Sequence, residues 1–212
     1  MNQAGSLLRQ GIAELGLSLP ESAISQLDNY IDLLAKWNRV YNLTAIQGEE
    51  KFVSHHLLDS LAVVPHLPAG RVIDVGSGAG LPGVPIAVAN PERGVTLLDS
   101  NRKRGTFLKQ VIAELGLANA TVAIDRAELF RPHEVFEAVI SRAFSDLAEF
   151  IGMAGHLCKP AGVLLAMKGA YPQQEIARIP QPWIVSETIS LDVPQLDAER
   201  HLLVLRRAPV TA

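Results

Sequence analysis

Residues Val72–Pro85 read VIDVGSGAGLPGVP, and three glycines with one carboxylate set the chemistry open to that run. Asp74 stands near the end of the apolar run Val72–Val75, and Gly76, Gly78 and Gly80 follow at alternate positions. That spacing lets the backbone turn sharply and lie against a ligand where a β-carbon would intrude. Gly78–Gly83 also satisfies the dinucleotide pattern G-x-G-x-x-G, a weak signal by itself. In that register Gly76-Ser77 separates the first glycine from the apolar run, and Pro82 and Pro85 remove backbone donors where a pyrophosphate would be held. A carboxylate beside the loop opposes a diphosphate but suits the ammonium and sulfonium of S-adenosylmethionine. The loop therefore reads as a site for that cofactor, bordered by Asp74, Gly76, Ser77, Gly78, Gly80 and Leu81. The Walker sequence Gly-Lys-Ser/Thr is absent.

Further residues fall where such a cofactor needs them. Asp99 ends the next apolar run, where an acid can accept hydrogen bonds from both ribose hydroxyls; an N-cap role for the helix near Asn101 fits the same position. Ala127 and Glu128 follow a third run and would close over the adenine, although Glu128 reads equally as a solvated acid. Ser141-Arg142-Ala143-Phe144 ends a fourth and faces the space into which the methyl would project.

The acceptor is constrained by what is missing. Methylation of an exocyclic amino group usually uses Asn/Asp-Pro-Pro-aromatic in the place where Ser141–Phe144 stands. Methylation at carbon five of a pyrimidine needs a thiolate, and the single cysteine, Cys158, reads as core. An acceptor that already owns a lone pair, such as guanine N(7) or many small molecules, needs neither device. Arg142 and Lys168 are the catalytic candidates, acting by position and charge. Arg102, Lys103, Arg104, Arg126, Lys168 and Arg200 are the candidate RNA contacts, with solvated surface an equal reading for Arg102–Arg104. Phe144 suits either core packing or stacking on a base. His56 reads as a satisfied helix histidine or an RNA contact, and no metal site is expected because no partner lies at ligand spacing.

The elements that must position these residues alternate. From Arg71 onward, β-rich runs at Arg71–Val75, Val95–Asp99, Ala120–Ile124, Ala138–Ser141, Ala161–Lys168, Trp183–Ser190 and Arg200–Arg207 are interleaved with helical patterns at Pro85–Ala89, Asn101–Leu115 and Asp146–Leu157. This predicts an α/β fold: a Rossmann-like, class I methyltransferase sheet, mostly parallel, with an antiparallel edge pair from the last two strands. Residues 1–67 form an N-terminal helical region and 68–212 the cofactor-binding domain, packed as one unit. In the first part a helix opens at Leu19-Pro20-Glu21, Val40–Ile46 is an irregular break, and a second helix spans Glu49–Val64 with Leu57, Leu58 and Leu61 inward.

The chain has 212 residues, 48% of them hydrophobic and 19% charged, as expected of a single folded core. No signal peptide or membrane span is expected, and a cytoplasmic protein is the plain reading. A net charge of −3 sets a condition, because proteins that hold bare nucleic acid usually carry a basic excess.

Taken together, the chain resembles the bacterial small-subunit ribosomal RNA guanine-N(7) methyltransferase family, RsmG or glucose-inhibited division protein B. The resemblance rests on Trp37-Asn38, Tyr41-Asn42-Leu43-Thr44-Ala45-Ile46, His56-Leu57-Leu58-Asp59-Ser60, the glycine loop, Leu97-Leu98-Asp99-Ser100, Ile140–Phe144, Met167-Lys168-Gly169 and Glu199-Arg200-His201. It implies S-adenosylmethionine contacts at Gly76, Leu81, Ala127, Glu128 and Arg142, with Asp99 on the ribose. It also implies 16S rRNA as substrate, within the small subunit or an assembly intermediate. A small-molecule methyltransferase and a non-catalytic cofactor-binding assembly factor are the competing readings.

Overall fold

The computed structural model describes residues 3–44, 46 and 48–209; Ala45, part of the family-like N-terminal motif, lies outside them. Helix α1 (Gln3–Glu14) is followed by α2 (Glu21–Tyr41), which starts directly after Pro20 and ends at Asn42 in the left-handed conformation, φ 49°. The helix thus runs two residues into the expected break. Next come α3 (Glu49–Phe52), a π-helical turn (Val53–Leu58) and α4 (Asp59–Leu61). Helical dihedrals at Phe52, Leu58 and Asp59 join these three into one segment. Leu57, Leu58 and Leu61 are fully buried on it.

The remainder alternates as β1 (Val72–Val75), α5 (Gly83–Ala89), β2 (Val95–Leu98), α6 (Arg102–Leu115), β3 (Ala120–Ala123), β4 (Phe136–Ser141), α7 (Leu147–Ala154), β5 (Cys158–Lys168), α8 (Gln173–Ile176), β6 (Trp183–Ser190) and β7 (His201–Arg207). Among the described residues the strands form one sheet of order β3-β2-β1-β4-β5-β7-β6. The first five are parallel, while β7 runs antiparallel to both β5 and β6. The short helix α8 has no counterpart among the elements expected from the sequence.

Alternation along each strand feeds the two faces of the sheet. Ile140, Leu165, Leu202 and Val204 join a core shared with α2, the π-helical turn, α5 and α6. Their neighbours Val139, Leu164, Leu203 and Leu205 pack on the other face with Leu147, Phe150 and Trp183. The N-terminal helices therefore cover the same face as α5 and α6, and Leu8, Leu27 and Leu57 belong to one cluster with Val84 and Phe107.

This topology brings the chemistry to one edge. The carboxyl ends of the five parallel strands lie together, and β7, entering from the opposite direction, starts there too, with Lys168 paired to His201. In open α/β sheets, ligands bind in the crevice outside those carboxyl ends.

Candidate active site

The loops leaving β1 to β4 enclose a cleft of about 410 Å³, a size suited to a small molecule. Gly76 lines it after β1, Asp99 and Ser100 after β2, Asp125–Glu128 after β3, and Ala143 and Phe144 after β4. Gly76 has φ +73°, and a β-carbon there would lie 2.7 Å from that of Ala143. Both the backbone conformation and the lack of space require bare main chain at this point.

Asp99, 4% exposed, joins two parts of the wall. Its Oδ2 accepts from the Gly78 amide at 2.8 Å and its Oδ1 from the Asn101 amide at 2.8 Å. The Arg104 guanidinium stands 3.6 Å from Oδ2. A carboxylate offers about four lone-pair sites, so capacity is left for ribose hydroxyls. The N-cap of α6 is Asn101, which accepts from the Lys103 and Arg104 amides.

Asp74 lies behind the loop and is fully buried. Its Oδ2 accepts from the Gly83 amide at 2.9 Å, and its Oδ1 has no hydrogen-bond partner among the described residues. Burial pushes its carboxyl up to about 7, against the lowering influence of the Gly83 amide. Ser77, also buried, donates to the Asp74 carbonyl at 2.9 Å, and Leu81 packs into the core at 4% exposure. A β-carbon on Gly80 would strike Val84 and Leu108. Of the residues expected at the loop, Gly76 forms the wall, Gly78 ties to Asp99, and Asp74, Ser77, Gly80 and Leu81 shape the turn from behind.

At the mouth, exposed Arg126 and half-buried Glu128 approach to 3.9 Å. Phe144 is half-buried, stacks on Phe150 with ring centres 5.2 Å apart, and lines the cleft as well. The contact with Phe150 fits its core-packing reading, and the surface the ring leaves free faces the cleft of Gly76 and Asp99. Arg104, expected as an RNA contact, is part of this cleft, whereas Arg102 and Lys103 stand exposed at the start of α6, Lys103 being 6.0 Å from the Tyr41 ring centre.

Arg142 turns away into a second cleft of about 330 Å³, lined also by His55, His56, Asp59, Lys168, Gly169 and Arg200. Its Nη1 donates to Asp59 Oδ2 at 3.0 Å and to the His55 carbonyl at 3.3 Å. Arg200 Nε donates to the other oxygen of Asp59 at 3.1 Å. Lys168 donates to Glu175 at 2.7 Å and to the Phe144 carbonyl at 3.1 Å, so its charge is matched and its nitrogen holds the β4 loop. Burial, with Arg142 adding, pushes His56 down to about 4 and keeps it neutral.

Sequence reasoning passed over Asp59, Glu175 and Tyr30 as site residues. His55, His56 and Asp59 do lie three and four residues apart, which sets them on one side of a helix. Tyr30 donates from α2 to the Ala79 carbonyl at 2.5 Å. Cys158 is buried at the start of β5, with burial raising its thiol to about 11. Among the described residues no group of three or more His, Cys, Asp or Glu could hold a metal ion, and no helix is long and apolar enough to cross a membrane.

Residues 23–203 match the family described as rRNA small subunit methyltransferase G. A protein of Chromobacterium violaceum named Ribosomal RNA small subunit methyltransferase G is 54% identical over 92% of this chain and 94% of its own length. One of the same name from Nitrosospira multiformis is 51% identical over 98% and 99%. A solved SAM dependent methyltransferase from Aquifex aeolicus superposes with a TM-score of 0.59 at 15% identity, over 73% of this chain and 92% of that one, a likeness of fold.

Proposed function

The chain belongs to the rRNA small subunit methyltransferase G family, and from that premise we propose how its two clefts divide the reaction. The protein is an rRNA methyltransferase. Our reading is that S-adenosylmethionine occupies the cleft of Gly76, Asp99, Ala127 and Glu128, and that the acceptor, N(7) of a guanine in 16S rRNA, approaches from the Arg142 side. The observation that carries this reading is the segment Arg142–Phe144, whose arginine lines one cleft while Ala143 and Phe144 line the other.

The residues present fit the cofactor. Gly76 leaves room for close approach, Asp99 keeps acceptor capacity for a ribose, and Asp74 braces the turn from behind by accepting from the Gly83 amide. When bound, the cofactor supplies an electrophilic methyl group on a sulfonium. Guanine N(7) already owns its lone pair, so the protein has no proton to remove. Its work is to set the two partners in line at roughly 3 Å and to exclude other geometries. Phe144 and Ala143 form the partition, Lys168 and Glu175 hold that partition from below, and Arg142 orients what enters the second cleft. Contacts from Arg142 and Leu81 to the cofactor, expected by family resemblance, would require Arg142 to turn from Asp59 and act through the loop backbone for Leu81.

The net charge of −3 favours a substrate presented by a ribonucleoprotein, the small subunit or an assembly intermediate, over bare RNA. An rRNA substrate in turn fits the cytoplasm as the compartment. Tritiated S-adenosylmethionine incubated with small subunits from a strain lacking the gene tests the reading. Label on a guanine of the 16S rRNA is the expected result. No label, from protein that demonstrably binds the cofactor, would overturn it.

A further inference from the structure

Around Asp59 the chain assembles more positive charge than it neutralises. This carboxylate is 3% exposed and receives Arg142 on one oxygen and Arg200 on the other, at 3.0 and 3.1 Å. The two arginines come from positions 83 and 141 residues further along the chain and meet only there. Lys168, the remaining cation of the cleft, is matched by Glu175 at 2.7 Å. Two guanidiniums on one carboxylate leave a single positive charge in excess.

Donors are in surplus as well. Both oxygens of Asp59 are engaged, His56 Nε2 lies 2.9 Å from the Thr44 hydroxyl, and His56 Nδ1 lies 3.0 Å from the His55 carbonyl. The Gly169 carbonyl is taken by His201 at 2.7 Å. Each guanidinium carries five N–H groups, and only part of that number is used by Asp59, the His55 carbonyl, His56 Nδ1 at 3.4 Å from Arg142 Nη2, and the Glu199 carbonyl. A guanine carries the N1–H and N2 amino donors on its Watson–Crick edge beside the O6 acceptor, and those donors would find the acceptors of this cleft already occupied. A group with one negative charge and two acceptor oxygens is complementary.

We propose that this cleft seats one phosphodiester of the RNA backbone on Arg142 and Arg200, and that Asp59 is the positioning residue that aims both guanidiniums at it. The site deepens the rRNA reading above and rests on it. Paired planar forks gripping an anion give orientation as well as attraction, which a point charge does not. With the backbone fixed at this cleft, the neighbouring base is presented to the partition formed by Ala143 and Phe144.

The test is the salt dependence of methyl transfer to small subunits that lack the modification, with cofactor affinity measured separately by calorimetry. Losing one phosphate contact flattens the dependence of log KM on log salt by about 0.7–0.9. Arg200→Gln should show that flattening, with KM raised about tenfold at moderate salt and cofactor affinity unchanged. Arg200→Lys should keep the wild-type slope with a smaller rise in KM. Asp59→Asn, which leaves both arginines charged, should keep the slope and raise KM several-fold. A wild-type slope in Arg200→Gln would overturn the phosphodiester site. A loss of cofactor affinity matching the rise in KM would also overturn it, by assigning the anion to the cofactor's own carboxylate. An unchanged KM in Asp59→Asn would remove its positioning role. If the wild-type protein labelled no subunit RNA, the rRNA reading would fail with it, an outcome distinct from normal transfer with an unaltered slope.

Discussion

The hydroxyl of Tyr30 donates to the carbonyl of Ala79 across 49 residues of sequence, fastening helix α2 to the glycine loop at 2.5 Å. Both groups are buried, and burial drives the Tyr30 pKa upward, so the phenol stays a donor. The N-terminal helices thereby act as a backing for the cofactor turn.

Tyr30→Phe keeps the ring and orphans the Ala79 carbonyl. Leaving a buried acceptor unpaired costs about 1–3 kcal/mol. Urea denaturation should find that loss, and calorimetry should find weaker cofactor binding because the turn loses its tether. Unchanged stability and affinity would mean that the loop is held by its other contacts alone.

Gly76→Ala meets two obstacles: φ of +73° and a β-carbon 2.7 Å from Ala143. The strain falls where the β1 and β4 loops touch, so cofactor affinity should drop at least tenfold while the core melts nearly as before. Gly76→Ala combined with Ala143→Gly relieves the contact but not the dihedral, and should recover only part of the affinity. Titration calorimetry beside thermal melting separates the two effects.

Two buried groups pull stability in opposite directions with pH. Asp74 is raised to about 7 by burial, so its contribution is full below about pH 4 and is lost as pH rises through 7. His56 is lowered to about 4 by burial and then by Arg142, so its contribution is full above about pH 6.5 and is lost as pH falls through 4. Asp74→Asn should therefore gain on the wild type as pH rises from 5 to 8. The penalty of His56→Gln should shrink as pH falls from 7 to 4. Each trend is on the order of a few kcal/mol, read from denaturation midpoints across that range. A mutant-to-wild-type difference flat with pH would contradict the assignment of that group.

The strand–helix alternation was readable because each strand carries a compact apolar run and each helix a periodic one, and Leu57, Leu58 and Leu61 were placed inward on the same ground. The glycine spacing located the turn, since a bare backbone at Gly76 is a local requirement. What escaped was long-range. Nothing near Asp59 announces that residues 142 and 200 will converge on it, and nothing near Lys168 announces Glu175 in a helix of four residues. A carboxylate beside a glycine loop is also ambiguous in depth: Asp74 was expected at the ligand and stands behind the turn, because β1 is buried along its whole length.

Cys158 has no part in the chemistry described. Its thiol is buried and raised to about 11, so little thiolate exists near neutrality. Cys158→Ala should retain methyl transfer within about threefold, with a stability loss on the order of 1 kcal/mol from the small cavity. Transfer assays and melting on the purified variant check both numbers; loss of transfer in a stably folded variant would restore a covalent mechanism.

The division of labour between the two clefts is tested most directly by a crystal structure with S-adenosylhomocysteine bound. The adenosyl group is expected among Asp99, Ala127 and Glu128, with the sulfur directed toward the Arg142–Ala143 segment and the Asp59 cleft free of cofactor. Density for the adenosyl group in the cleft of His55, Asp59 and Arg200 would contradict it.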